Sequence, residues 1–183
     1  MTLFAARGFD ETRTRDIAAL AKVDVALIAY RFGSKLGLWK AVVQAVGGNI
    51  IPVLGHAAAM AADQAPGGRL RCTMGAFIEF ALRRPEICKF LLRDDSHDVE
   101  RADWLYEHMA KPFLGHLLPL LNDAVAARQA NAPHPELALL NFGYGVAGLV
   151  SRRDRLSRFG VVFADDASLR DALERTLVEP IFV

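Results

Sequence analysis

In the segment VDVALIAYRFGSK, residues 23–35, a phenol and two cations, Tyr30, Arg31 and Lys35, stand close together in the chain. Two further arginines, Arg13 and Arg15, flank Thr14 a little earlier. Arginine and lysine give charge-assisted hydrogen bonds to phosphate oxygens, and a tyrosine hydroxyl adds another. The chemistry these types can do is recognition of a polyanion. Nothing comparable supports covalent chemistry. The chain has no G-x-S-x-G elbow, no P-loop and no glycine-rich dinucleotide turn. The paired carboxylates Asp94-Asp95 and Asp165-Asp166 read as turns and caps, and the five histidines show no HxxxH or HExxH spacing. A binding protein without metal or cofactor is expected, not an enzyme.

Net charge is only +1, but it is unevenly spread. Residues 1–50 hold seven Lys/Arg against four Asp/Glu, and the rest of the chain fifteen against seventeen. The basic excess lies where the polyanion chemistry lies. Apolar residues make up 52% of the 183, enough for a real core. Cys72 and Cys88 lack CxxC spacing and read as two buried, reduced thiols. No signal peptide is evident, and no apolar run is read as reaching the roughly 18 residues of a membrane span. A cytoplasmic protein with no membrane partner is expected.

The elements that must position these side chains are helices. Alanine and leucine dominate and β-branched alternation is absent. Residues 1–7 end a helix closed by Gly8. Thr12 or Thr14 can cap a second, with Ile17, Leu20 and Ala21 as apolar positions. Asp24 caps a third, Val25–Phe32, which Gly33 ends, and Ser34 caps a fourth. On the third helix Val25, Ile28 and Phe32 form one stripe; Leu27, Tyr30 and Arg31 form another. Gly47-Gly48 and Pro52 predict a bend and a domain hinge. Beyond it, helices are expected over 53–62, 70–83, from Pro85 to Leu92, 100–128 with breaks at Pro112 and Pro119, 136–156 and 167–178. The layout is all-α: a helix-turn-helix unit at 1–47 and a larger helical body at 48–183.

Two short helices joined by a tight turn, the second presenting polar residues, make a helix-turn-helix. The stretch GFDETRTRDIAALAKVDVALIAYRFGSKLGLWKAV resembles the DNA-binding region of TetR-type regulators. Gly8, Phe9, Thr14, Ile17, Ala18, Ala21, Val23, Ile28, Tyr30, Phe32, Ser34, Lys35 and Leu38 all fall in the family pattern. The FGSK-x-GL ending resembles its CecR-like branch. The resemblance implies that Thr14 and Arg15 reach phosphate and base from the start of helix two. It places Val25, Ala26 and Leu27 at the head of the recognition helix. Tyr30, Arg31 and Lys35 are then phosphate contacts. It departs at four points. The given sequence begins within the family's helix one, whose usual first two turns and preceding basic arm are expected either upstream of Met1 or missing. Arg13 stands where threonine is usual, and Lys22 replaces the turn glycine, which demands a left-handed backbone. Val25, Leu27 and Ala29 can touch thymine methyls but cannot hydrogen-bond bases, so Arg13 and Arg15 are expected to carry more of the specificity.

For the body, the resemblance implies a small-molecule effector pocket and a dimer interface. Candidate pocket residues are Phe77, Phe80, Arg93, Trp104, His108 and Met109, with Tyr106, Phe113, Asp94 and His97 as further possibilities. Phe142, Gly145, Val146 and Leu149 are candidates for a homodimer seam, with packing inside one subunit as the alternative. The implied function is a one-component regulator, a repressor of double-stranded operator DNA released by its effector. The alternative is a helical ligand-binding or scaffold dimer that has lost DNA binding.

Overall fold

The computed structural model describes residues 1–93, 98–161, 163 and 165–183. These are helical and, among the described residues, form no β-strand; one isolated bridge joins Ala130 to Phe182. The order is α1 (Thr2–Arg7), α2 (Thr14–Ala21), α3 (Val25–Phe32), α4 (Lys35–Met60), α5 (Pro66–Arg83) and α6 (Pro85–Leu91). Then come α7 (Val99–Leu105), a π-helical turn (Tyr106–Ala110), α8 (Lys111–Ala126) and α9 (Pro135–Ser151). A 3-10 segment (Arg153–Phe159), α10 (Asp166–Leu173), a second π turn (Glu174–Val178) and a short 3-10 turn (Glu179–Ile181) follow.

The first three helices follow local signals. Gly8 ends α1 at φ 79°, and the Asp24 carboxylate accepts from the Ala26 amide at 2.7 Å to cap α3. Gly33 ends α3 at φ 73°, and the Ser34 hydroxyl accepts from the Gly37 amide at 3.0 Å to start α4. Thr12 and Thr14 do not cap α2. Arg13 holds the cap position without a side-chain bond, and Thr12, fully buried, donates instead to the carbonyl of Gly8 at 2.6 Å. Thr12 thereby fixes the α1–α2 corner.

The sequence predicts a bend at Gly47-Gly48, but the helix does not break there: α4 runs on through both glycines and Pro52. It also has the length and hydropathy of a membrane span, contrary to the sequence reading. In the fold, Leu38, Trp39, Val43, Val46, Ile50 and Leu54 of α4 are buried in the core. Gly47 is there for packing. A Cβ on it would lie 2.7 Å from the main-chain oxygen of His108, so α4 and the π turn approach closer than any side chain allows. Pro112 contributes, because it has no N–H to give the residue-108 carbonyl four positions back. The π turn, with the Lys111 amide donating to Tyr106 five positions back, stands where the sequence predicts only a break at Pro112. Pro119 lies inside a continuous α8.

One core runs from Phe4 to Ile181. Its N-terminal end is an aromatic cluster in which Phe4 stacks on Phe9 at 6.0 Å, Phe9 meets Trp39 edge-on, and Trp39 meets Phe90. That cluster joins the α1–α2 corner to α4 and α6. Cys88 is buried, and burial pushes its thiol up to about 12, whereas Cys72 is exposed, which corrects the expectation of two buried thiols.

Candidate nucleic-acid interface and effector cavity

The α2–α3 turn is built on Lys22, which adopts the left-handed conformation (φ 56°, ψ 42°) that the sequence demands of it. Its amide donates back to Ala18 and Ala19, closing α2. The tight turn leaves α3 standing away from the body. Ile28 is the buried side chain of α3 and Phe32 is half-buried; Val25, expected to point inward, is 42% exposed. Leu20 of α2 is exposed. The outward face of α3 carries Ala26, Leu27, Tyr30 and Arg31, with Tyr30 90% exposed.

Arg13, Arg15 and Arg31 are exposed, and among the described residues none has a carboxylate partner. Thr14 is half-buried at the start of α2. The Arg7–Asp16 pair at 3.0 Å ties α1 to α2. Lys35 is placed differently from the other candidates. Its ammonium donates to the carbonyls of Phe9 (3.0 Å) and Asp10 (3.3 Å) and sits 4.3 Å from the Phe9 ring centroid. Lys35 thus braces the corner between α1 and α2.

Arg101 of α7 reaches the same ring. Its guanidinium lies 4.2 Å from the Phe9 centroid and 3.8 Å from the Asp10 carboxylate, and Arg101 is only 4% exposed. The helix-turn-helix unit is therefore fastened to the body through Phe9. A second strut lies beside it. Lys40 pairs with Glu100 at 2.6 Å and covers the Trp104 ring at 4.5 Å, while the Trp104 indole donates to the Lys40 carbonyl at 3.3 Å.

Behind these struts is a cavity of about 330 Å³. Ile50 and Ile51 of α4, Phe77 of α5 and Leu91 at the end of α6 form part of its wall. Leu105, Tyr106, Met109 and Phe113 form another part, and Leu140, Gly143, Tyr144 and Ala147 of α9 a third. Phe77 touches both Phe113 and Phe142, with centroids 5.1 and 5.5 Å away, so the inner end is aromatic. The π turn contributes Tyr106, Met109 and Ala110 to the wall and packs its His108 carbonyl on Gly47 of α4. One element therefore faces both the cavity and the helix that carries the DNA-binding unit.

Residues 1–42 match the family model described as bacterial regulatory proteins, tetR family. The chain has the fold and the DNA-binding domain of a TetR-family regulator. A Shewanella sp. PV-4 protein assigned to the tetR family of transcription regulators superposes with a TM-score of 0.73 at 20% identity, over 99% of this chain and 93% of that one. The fatty acid degradation regulator FadR from Bacillus halodurans gives 0.74 at 15% identity, over 98% and 94%. A TetR-like transcriptional regulator from Rhodococcus sp. RHA1 gives 0.64 at 21% identity, over 94% and 85%. No curated protein matches.

In this TetR-like fold the sequence candidates for the effector pocket divide. Phe77 and Met109 line the cavity, as do Tyr106 and Phe113. Trp104 and His108 do not; they stack on each other at 4.0 Å along the Lys40 strut. Phe80 is half-buried outside the lining, and Arg93 lies against Gly8. Asp94 and His97 fall outside the described residues. Sequence reasoning missed Ile50 and Ile51 because it placed a hinge there. Of the dimer candidates, Phe142 and Val146 are wholly buried within the subunit, and Gly145 sits against Leu177, where a Cβ would lie 3.0 Å from its methyls. Leu149 is half-buried. The outward face of α9 instead carries Leu137, 63% exposed, and Asn141.

Proposed function

We propose that the chain is a cytoplasmic, homodimeric repressor that binds operator DNA through α2 and α3 and leaves it when a small molecule enters the cavity. The observation that carries the reading is the bare α3 face beside three arginines, Arg13, Arg15 and Arg31, that have no carboxylate partner among the described residues. Exposed cations without partners cost little in water and gain on a phosphate backbone by releasing counterions. Arg13, Thr14 and Arg15 then address phosphate and base from α2. Val25, Ala26 and Leu27 enter the major groove, where their apolar groups meet thymine methyls. Tyr30 and Arg31 take phosphates, and Lys35, engaged with the Phe9 and Asp10 carbonyls, positions the unit more than it grips DNA. The functional division stands at residue 47, with α4 shared between a DNA-binding unit at 1–47 and an effector and dimer unit at 48–183.

Two copies meet two half-sites about 34–36 Å apart. With Phe142 and Val146 used inside the subunit, the outward face of α9 around Leu137 serves for pairing. An occupant of the cavity presses on the π turn, which rests on Gly47, and so favours a different tilt of α4. Release follows only to the extent that the occupant binds the DNA-free arrangement more tightly. The name of the Bacillus halodurans neighbour, a fatty acid degradation regulator, is compatible with a ligand bearing a hydrocarbon chain.

Fluorescence anisotropy with promoter fragments from around the gene, over a salt series, tests the reading. Sequence-specific binding is expected. Arg15→Ala and Arg31→Ala should each weaken it and lower the salt slope by about one. A chain that binds no fragment specifically at low salt leaves the ligand-binding scaffold as the better reading.

A further inference from the structure

Taking the cavity to be the effector site, we infer that its ligand is a small, uncharged, mainly hydrocarbon molecule. Among the described residues that line the cavity none carries a charge. The side-chain hydroxyls available are those of Tyr106 and Tyr144, both more than half exposed and so at the solvent edge. The inner wall is aliphatic and aromatic: Ile50, Phe77, Phe113 and Ala147.

Three cations on helices that border the cavity have partners of their own. Lys40 holds Glu100 and the Trp104 ring, and Lys111 holds Glu107 at 2.7 Å. Arg101 faces Phe9 and Asp10. A carboxylate, phosphate or ammonium drawn into such a wall loses hydration and meets no counter-charge. A neutral hydroxyl or carbonyl at the mouth needs only one hydrogen bond, which a tyrosine can supply. The size follows from the volume. About 330 Å³ is near the lower end of the roughly 300–1,000 Å³ usual for ligand sites, so the occupant is a small molecule.

The test is made on the free protein without DNA. 1-Decanol below its solubility limit, and decanoate and decyltrimethylammonium below their micelle concentrations, are titrated at pH 8 with tryptophan fluorescence and thermal shift as readouts. Decanol should saturate and bind at least tenfold more tightly than either ion. Ala147→Phe, which fills the inner wall, and Ala102→Trp, which blocks the exposed rim, should each weaken decanol tenfold or more. The rim variant serves if the buried one lowers the melting temperature. An ion that binds as tightly as decanol overturns the inference, as do three probes that fail to saturate or two variants that bind like the parent. Decanol binding supports it whether or not DNA is released, because release tests the regulatory reading and not the ligand class.

Discussion

Gly47 and Gly48 are adjacent in α4 and should respond to alanine with opposite signs. Glycine inside a helix is less favourable than alanine by roughly 0.8–1 kcal/mol. At Gly48 a new Cβ meets nothing within 4 Å, so Gly48→Ala should realise most of that gain. At Gly47 the Cβ would stand 2.7 Å from the His108 main-chain oxygen and 3.4 Å from the Met109 sulfur. A backbone oxygen cannot rotate away as a side-chain tip can, so α4 and the π turn must part. Overpacking of this kind costs roughly 1–3 kcal/mol, which cancels or exceeds the propensity gain. The two variants should therefore differ by about 1–3 kcal/mol, Gly48→Ala being the more stable. At about 2–4 °C per kcal/mol for a chain of this size, the melting temperatures should lie roughly 2–12 °C apart. Calorimetry or circular dichroism on both variants measures this. If Gly47→Ala melts at or above Gly48→Ala, the close crossing of α4 and the π turn is wrong, and with it the route proposed from cavity to DNA-binding unit.

Lys22→Gly should stabilise the α2–α3 turn by about 0.5–1 kcal/mol, because the left-handed conformation costs a side-chain-bearing residue more than glycine. A urea midpoint below that of the parent would contradict it. Arg101→Met keeps the apolar stem but removes the cation from the Phe9 ring, from Asp10 and from Asp98. Given the depth of burial, a loss of roughly 2 kcal/mol is expected. Amide exchange should quicken most over residues 9–12, and uniform or unchanged exchange there would show that Phe9 is held by other contacts.

The helix-turn-helix was readable in the chain because its signals act within three or four residues. Asp24, Gly33 and Ser34 each satisfy or free a helix end next to themselves, so α3 runs between the residues the sequence names. Lys22 was readable for the same reason: whatever the neighbours, a turn of that length forces its backbone to the left-handed side. The family pattern over residues 1–42 is a pattern of such local signals plus a few core positions.

The body was less readable, and the misses share a cause. Gly47 looks like a helix breaker in sequence, yet it is a contact residue, and only the position of the His108 carbonyl reveals that. The π turn adds a residue to one turn and rotates everything beyond it by about 100° relative to a regular helix. The sequence candidates grouped Trp104 and His108 with Met109 in the pocket, whereas Trp104 packs under Lys40 with His108 stacked on it, and only Met109 lines the cavity. Phe142 and Val146 were readable as buried, but not as buried by what. An apolar stripe is equally satisfied by its own subunit or by a second copy, and here its own α5 and α8 cover Phe142. The sequence by itself determined the all-helical class and the ends of α3, because these depend on each residue and its near neighbours. The cavity, the unbroken α4 and the role of each apolar face were decided by tertiary structure, because they depend on which surfaces distant segments bring together.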